Sequence, residues 1–225
     1  MARVPWPTRS RPPRSGPSPA ELAAARDRLL PDVLPGPDDP PLRVLFAGIN
    51  PSLLSAATGH HFARPGNRFW PAMHAGGLTP RRLRPDEQHR LRALGLGLTN
   101  VVPRPTARAD ELAREELVAG GESLRTTVRR HSPAWLAVVG IGAYRVAFAR
   151  PRAAAGRQDE VVTATAGAGT RLWVLPNPSG LNAHHTPASL ADAFAALRAA
   201  VEREEVVESA AEGDDDPSPT DRSRR

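Results

Sequence analysis

The sequence predicts an α/β domain, a three-layer sandwich with a central, mostly parallel sheet flanked by helices. Short apolar runs alternate along the chain with stretches of helical periodicity. Such alternation favours parallel strand pairing and a sheet covered on both faces. Two of the apolar runs, "VLFAGINP" and "LWVLPNP", end in Asn-Pro. Polar side chains therefore follow strands at the sheet edge where ligands bind in these folds.

The individual elements follow from the same patterns. The candidate strands are residues 43–47, 96–99, 135–139, 160–164 and 171–175. Helical spacing predicts helices over 67–76, over 80–94 and over 110–130, the last interrupted by Gly120-Gly121. A final helix is predicted after Thr186 as N-cap, with Pro187 at its first position and with Leu190, Phe194, Leu197 and Val201 on one face.

Composition divides the chain into three parts. Residues 1–41 are predicted to be a disordered arm and linker rich in arginine and proline. Residues 42–202 are predicted to be the folded domain, and residues 203–225 a disordered acidic tail. Neither end holds enough large apolar side chains to offset the entropy cost of ordering.

Charge separates the domain from the tail. Residues 42–201 contain 20 arginines and 10 acidic residues, a net charge of +10, whereas residues 202–225 contain 4 arginines and 9 acidic residues, a net charge of −5. A basic domain indicates a polyanionic partner, nucleic acid before membrane. A compositional bias towards Ala, Pro and Arg is the alternative explanation of the same charge.

Two residue types are missing from the sequence. The absence of cysteine excludes disulfides, cysteine-held zinc or iron–sulfur sites and cysteine nucleophiles. All 30 basic residues are arginine, which excludes lysine Schiff bases and a Walker-type phosphate loop. No apolar run approaches the length of a membrane span. We expect a cytoplasmic protein that acts as a monomer without a cofactor.

Patterns for three other chemistries are incomplete. Gly140-x-Gly142 follows a strand, but Arg145 replaces the third glycine of a dinucleotide fingerprint; a tight strand–helix turn is the better interpretation. The pairs His60-His61 and His184-His185 lack nearby acidic residues to complete a metal site. The serines of "GESL" and "NPSG" do not form the Gly-x-Ser-x-Gly elbow of a serine hydrolase.

Four other stretches carry a stronger signal together. These are "GINPSLLSAATGHHFARPGNRFW" (48–70), "GLTNVVPRPT" (97–106), "ELVAGGESLR" (116–125) and "LPNPSGLNAHH" (175–185). In order and spacing they resemble the mismatch-specific uracil- and thymine-DNA glycosylase family, and the resemblance covers essentially the whole predicted domain. The fold of that family agrees with the fold predicted from the pattern of strands and helices.

The resemblance implies roles for the residues of a base pocket. Asn50 matches the asparagine that holds the attacking water, and Ile49 precedes it in the same motif. Phe62 matches the aromatic residue that stacks on the flipped base. Ser55 lies where the family contacts the C5 edge of the base, and Asn100 matches an asparagine of the thymine-processing branch.

The resemblance also implies a DNA-binding loop in which a leucine wedges into the duplex. The loop residues are Asn177, Ser179, Gly180 and Leu181. Two departures from the family pattern stand out. Ser52 replaces the usual glycine after Asn-Pro, and Ala183 stands where some relatives have an arginine near the orphan guanine.

These expectations combine into one reaction. The implied enzyme hydrolyses the N-glycosidic bond of uracil mispaired with guanine in double-stranded DNA, with thymine and etheno-cytosine as further candidate bases. An asparagine at position 50 cannot act as a base, so its carboxamide is expected to orient water, and Pro51 to fix its presentation. Without lysine the enzyme is expected to leave the backbone uncut. The alternative is a non-catalytic DNA-damage-binding protein on the same fold.

Overall fold

The computed structural model describes residues 16–162, 169–180 and 185–213. Its sheet has five strands in the order β2-β1-β3-β5-β4. Their bounds are β1 Val44–Gly48, β2 Leu96–Asn100, β3 Trp135–Val139, β4 Gly156–Val162 and β5 Thr170–Leu175. The pairs β1–β2, β1–β3 and β3–β5 are parallel. The prediction of a mostly parallel sheet is confirmed.

Strand β4 differs from its predicted position. It begins at Gly156, before the predicted 160–164, and it pairs antiparallel with β5 at the edge of the sheet. Along "GRQDEVV" partly buried and exposed residues alternate, as expected for an edge strand with one face in water. A prediction based on apolar runs therefore detects only the end of such a strand. Part of the predicted strand lies outside the described residues.

The helices of the structure cover both faces of the sheet. They are α1 Pro19–Ala24, α2 Leu53–Thr58, α3 Phe69–Ala75, α4 Arg114–His131, α5 Ile141–Ala147 and α6 Pro187–Gly213, with 3₁₀ turns at Ala25–Asp27, Pro85–Leu94 and Ala109–Glu111. Val44 and Phe46 of β1 join the core under α3 and α6, while Leu45 and Ala47 join the core under α4 and α5. The three-layer sandwich is confirmed.

Two predicted helices differ from the patterns, one in where it begins and one in its continuity. The segment expected to start at Pro80 becomes helical only at Pro85, where the Glu87 carboxylate accepts from the Arg84 N–H. Helix α4 runs without interruption through Gly120-Gly121. A Cβ at Gly121 would lie 2.1 Å from the carbonyl oxygen of Ala147. The glycine pair therefore allows close helix packing and does not break the helix.

The prediction of disorder up to residue 41 is wrong for residues 16–41. Ser18 caps α1, and Ala25, Leu30 and Val33 are buried. Val33 also exchanges both backbone hydrogen bonds with Leu98 of β2. A few apolar side chains suffice here because the core against which they pack already exists. Residues 1–15 lie outside the described part.

The predicted tail boundary at residue 203 is also wrong, because α6 continues to Gly213. Thr186 caps the helix as predicted, accepting from the Ser189 N–H. Glu204 forms an ion pair with Arg171 at 2.9 Å, and Glu205 forms one with Arg43. Acidic residues that were predicted to belong to the disordered tail thus bind basic residues of the domain. Within the described residues, no helix has both the length and the apolar character needed to cross a bilayer.

Candidate active site

A cavity of about 320 Å³ opens where the parallel strands end. Asn50 follows β1, Asn100 ends β2, Val139 ends β3, and Asn177 follows β5; all four line the cavity. The two Asn-Pro turns therefore meet at one site. Most of the residues that sequence analysis assigned to the site line the same cavity: Ile49, Asn50, Ser55, Phe62, Asn100, Asn177 and Ser179.

The Asn50 carboxamide is fixed in one orientation. Its Nδ2 donates to the carbonyl oxygen of Arg104 at 2.9 Å and to Oγ1 of Thr106 at 2.7 Å. A carbonyl oxygen only accepts hydrogen bonds, so the amide nitrogen must face Arg104. Both N–H donors are then used within the protein. The remaining polar atom, Oδ1, is the one that Asn50 offers to the cavity as an acceptor.

The loop after β2 is held so that it can position Asn50. Its Thr106 N–H donates to the Pro51 carbonyl, and the Leu53 N–H donates to the Thr106 carbonyl. The Arg104 guanidinium binds both oxygens of Glu116 on α4, at 2.7 and 2.8 Å. This hydrogen bonding lowers the pKa of Glu116 to about 2. Arg104 thus links the turn that carries Asn50 to a long helix.

Ser52 and Ser55 form a small hydroxyl network at the start of α2. Ser52 has an ordinary extended φ of −70° and caps α2 by accepting from the Ser55 N–H, so replacing the usual glycine does not strain the turn. Its hydroxyl donates to the Ser55 oxygen at 3.0 Å, which also accepts from the Ala63 N–H. With two donors on its oxygen, the buried Ser55 hydroxyl retains its own proton for donation.

Phe62 lines the cavity from a strained backbone position. Its φ is +54°, a left-handed conformation that is unfavourable for a bulky residue. One face of the ring stacks on Phe69 at 3.8 Å between ring centres. Phe69 itself does not line the cavity. The Phe62 ring is therefore backed by the core and presents its remaining surface to the cavity.

Gly48, the buried last residue of β1, lies directly beside two of the side chains that line the cavity. A Cβ at this position would lie 2.7 Å from Oδ1 of Asn100 and 3.2 Å from Cζ of Phe62. Real Cβ atoms do not approach other atoms to less than about 3.0 Å. Only glycine allows both side chains to lie this close to the end of β1.

His61 connects the cavity to the N-terminal segment. It is 1% exposed, and its Nε2 lies 3.0 Å from the Pro31 carbonyl oxygen. Its Nδ1 lies 3.4 Å from Nδ2 of Asn100. Burial lowers the pKa of His61 to about 4. The imidazole is therefore neutral at physiological pH, and Leu30, next to Pro31, lines the cavity directly.

The loop after β5 is anchored to the loop that carries Phe62. Oδ1 of Asn177 accepts from the Ser179 N–H, which closes a local turn. Arg68 donates from its backbone to the Pro178 carbonyl and from its guanidinium to the carbonyls of Ser179 and His185. One arginine thus holds both sides of the segment 180–184.

Gly180 lies beside the cavity but does not line it. A Cβ on Gly180 would meet the Gly66 carbonyl oxygen at 2.6 Å, so this glycine allows two loops of the protein to touch. Leu181 and Ala183 lie outside the described residues.

Among the described residues, no three His, Asp or Glu side chains are grouped as a metal site would require. Of the predicted pairs, His184 lies outside the described part, and the ring of His61 is engaged by Pro31 and Asn100. Gly140 has a φ of +139° between β3 and α5, which confirms the tight strand–helix turn.

The sequence profile of the Uracil DNA glycosylase superfamily matches residues 35–198. The chain belongs to this superfamily. Its members are DNA glycosylases, hydrolases that act on DNA, and the three-layer fold with a mostly parallel sheet is consistent with them. The matched region covers the whole sheet and every residue that was assigned to the site from sequence.

Several residues of this site were not found from sequence. Thr106 and the Arg104 carbonyl orient Asn50, although "GLTNVVPRPT" was identified as a motif. Arg68 anchors the β5 loop, and its position within the first motif was the available signal. No local pattern indicated that Leu30 would line the cavity.

His61 is expected to make the stability of this glycosylase depend on pH. The folded protein keeps the imidazole neutral down to about pH 4, whereas the unfolded chain binds a proton near the ordinary value of 6.5. The unfolded state binds more protons in this window, so stability is lost as pH falls through it. The full effect is on the order of 3 kcal/mol, at about 1.4 kcal/mol per pKa unit.

Urea unfolding of wild type and His61→Gln at several pH values between about 4.5 and 7.5 measures this contribution. The wild type should lose more stability than the variant on acidification. Equal slopes in the two proteins would contradict the assignment of a buried neutral imidazole.

Proposed function

We propose that this protein is a monofunctional DNA glycosylase that removes uracil mispaired with guanine, as the first step of base excision repair. The orientation of Asn50 is the observation that carries the proposal. Both of its N–H donors are held by Arg104 and Thr106, so Oδ1 is left to accept from a water molecule. A fixed acceptor beside a base-sized cavity suits hydrolysis of an N-glycosidic bond.

In the proposed reaction, side chains take a direct part in few of the chemical steps. The C1′–N1 bond breaks with its electron pair on the base, and the water oxygen forms the new bond to C1′. Asn50 aligns the water but cannot take its proton, which leaves to the base or to solvent. Catalysis then depends on alignment and on stabilising the departing base anion.

The base pocket is assigned as follows. The flipped base lies against the Phe62 ring, which Phe69 supports from behind. Asn100 faces the polar edge of the base, and Ile49 adds apolar contact beside Asn50. Ser55 lies at the C5 edge, where its hydroxyl disfavours a methyl group. Uracil is therefore proposed as the better substrate than thymine.

The β5 loop is proposed to enter the duplex as the base leaves it. Asn177, Ser179 and Gly180 lie at the base of the loop and contact neighbouring residues, and Leu181 follows directly in the sequence. Extruding a base costs a few kcal/mol of stacking and pairing. An apolar side chain inserted in its place offsets part of that cost.

Single-turnover assays on otherwise identical duplexes test the proposal. We expect release of uracil from G:U, slower release from G:T, and weaker activity on A:U. The product strand should stay intact until alkali treatment, because no lysine is present to form a Schiff base. Borohydride should trap no protein–DNA adduct, and EDTA should leave the rate unchanged. Tight binding of G:U without base release would favour the damage-binding alternative.

Arg64 is expected to contact a phosphate beside the flipped nucleotide. It lines the cavity, is exposed, and has no ion-pair partner among the described residues. Two other arginines near the site, Arg104 and Arg108, are each paired with an acidic residue. Arg64→Ala should weaken binding to all DNA sequences and reduce the slope of log Kobs against log salt by about 0.9.

Arg130→Ala is the matched control for this measurement. Arg130 is also exposed and without an ion-pair partner among the described residues. It lies near the end of α4, just before β3 begins, and therefore at the opposite end of the strands from the cavity. Fluorescence-anisotropy titrations at several salt concentrations compare the variants. Equal slopes for Arg64→Ala and Arg130→Ala would show that Arg64 does not contact DNA.

A further inference from the structure

We propose that the N-terminal segment, residues 28–34, is a positioning element for base recognition: the Pro31 carbonyl selects the tautomer of His61, and His61 thereby selects which atom of Asn100 faces the base. The segment lies entirely before the matched superfamily region, which begins at residue 35. The inference rests on the proposed function for its substrate. It concerns only how the pocket is oriented.

The first link is the bond between Pro31 and His61. The Pro31 carbonyl can only accept, so the imidazole nitrogen 3.0 Å away, Nε2, must carry the proton. A neutral imidazole has one proton, so Nδ1 carries a lone pair. The rest of His61 is also fixed, because its N–H donates to Gln88 and its carbonyl accepts from Trp70.

The second link is the contact between His61 and Asn100. Because Nδ1 of His61 can only accept, the Asn100 group 3.4 Å away must be its amide nitrogen. The Asn100 carbonyl oxygen then points the other way. It lies beside Gly48, where the missing Cβ leaves room for it, and Asn100 itself lines the cavity.

This orientation has a consequence for base selection. With Nδ2 engaged by His61, Oδ1 is the side-chain atom that Asn100 has left for a base in the cavity, and it accepts a hydrogen bond from a base that carries N3–H, as uracil and thymine do. Cytosine carries a lone pair at N3, and two acceptors facing each other in a buried site are unfavourable. With the other His61 tautomer, Asn100 would turn and present its N–H group. The carbonyl of Pro31 therefore favours uracil over cytosine.

The segment is built to hold this carbonyl in place. Leu30 and Val33, on either side of Pro31, are both buried. Val33 is tied to β2 through two backbone hydrogen bonds with Leu98, two residues before Asn100. The same strand thus carries the recognition residue and the anchor of the segment that orients it.

The first experiment reads the His61 tautomer without reference to activity. Long-range ¹H–¹⁵N spectra of the full chain, with His61 assigned by loss of its signals in His61→Gln, report which ring nitrogen is protonated. We expect protonation at Nε2 alone at neutral pH. Protonation at Nδ1 would overturn the proposal, whether or not the protein releases uracil.

The second experiment measures selectivity with paired substrates. 5-Fluorouracil and 5-fluorocytosine opposite guanine differ in the N3–C4 edge but share an electron-withdrawing C5 substituent. The ratio of their single-turnover release rates should fall at least tenfold in His61→Gln, whose amide accepts and donates equally well. A smaller fall is expected in Pro31→Gly, which loosens the carbonyl without removing it.

Pro37→Gly is the control, since it lies in the same N-terminal region and no hydrogen bond joins it to His61. It should retain the wild-type ratio. A wild-type ratio in both His61→Gln and Pro31→Gly would also overturn the proposal. If His61→Gln does not fold, Pro31→Gly and the tautomer measurement decide. If the wild type releases neither base, the proposed function fails. The tautomer measurement still tests whether the Pro31 carbonyl fixes the proton on Nε2 of His61.

Discussion

Asn50→Ala is expected to lower the single-turnover rate of uracil release at least a thousandfold, about 4 kcal/mol of transition-state stabilisation. The alanine removes the only polar atom that Asn50 offers to the cavity, because both of its N–H donors already bind Arg104 and Thr106. Water can still enter, but nothing aligns it with C1′. Affinity for G:U duplex DNA should change little, since both N–H donors of the carboxamide are held within the protein and none is left to bind a phosphate.

Asn50→Asp sharpens the test, because it keeps the size of the side chain. A carboxylate has no donor, so one of its oxygens would face the Arg104 carbonyl where Nδ2 now lies at 2.9 Å. The added base therefore cannot be held in the working orientation, and we expect at least a tenfold loss near neutral pH. Protonation restores a donor, so part of the activity should return on acidification.

Two outcomes would contradict this account of Asn50. Asn50→Ala with wild-type turnover would remove the residue from the mechanism. A fast Asn50→Asp enzyme whose rate rises with pH would show that a general base improves the site, and that orientation by Arg104 matters little. Rates should be measured at saturating enzyme from about pH 5 to 9, so that binding does not mask the chemical step.

Gly48→Ala is expected to reduce uracil release at least a hundredfold, about 2.7 kcal/mol. The new methyl group would lie 2.7 Å from Oδ1 of Asn100 and 3.2 Å from the Phe62 ring. Neither neighbour can withdraw easily, since Asn100 is held by His61 and Phe62 rests on Phe69. Either Asn100 or Phe62 must shift, and both of these side chains line the cavity. The folded protein should remain, at a cost of about 1–3 kcal/mol for overpacking.

Gly142→Ala is the matched control for Gly48→Ala. Gly142 lies in α5, after the adjacent strand β3, and a Cβ there meets no atom within 4 Å. The control should retain activity and gain slightly in stability, because alanine favours helix. Rates and urea midpoints of the two variants separate a blocked pocket from a weakened fold. Equal activity in both variants would show that the base does not lie over Gly48.

The sequence alone was sufficient to predict the elements that are marked by a local pattern of residues. Parallel strands buried on both faces are continuous apolar runs, so β1, β2, β3 and β5 were found within a residue or two of their bounds. Asn-Pro after two of them placed polar groups at one edge, and the structure brings Asn50 and Asn177 to one cavity. The superfamily match extends over the same region.

What the sequence missed depends on contacts between distant segments. Strand β4 is half exposed and begins with polar residues, so its first residues do not form an apolar run that would predict a strand. The segment around Leu30 has few apolar residues and folds only because β2 offers Val33 a pairing partner. The roles of Arg104 and Pro31 belong to backbone carbonyls, which every residue possesses. No residue-type pattern can predict which carbonyl will orient a catalytic side chain.

The order of strands in the sheet has a consequence for folding. Strand β1 pairs with β2 and with β3, which joins Val44 to Leu96 and to Trp135. The central strand β3 also pairs with β5, which joins Leu136 to Leu172. Contacts this distant in sequence form late and favour slow, cooperative folding. A chain still emerging from the ribosome lacks the final wall of its pocket until the β5 loop has been made. The complete pocket should therefore form in one step once β5 and the loop after it are available, so that no half-folded species carries the whole site.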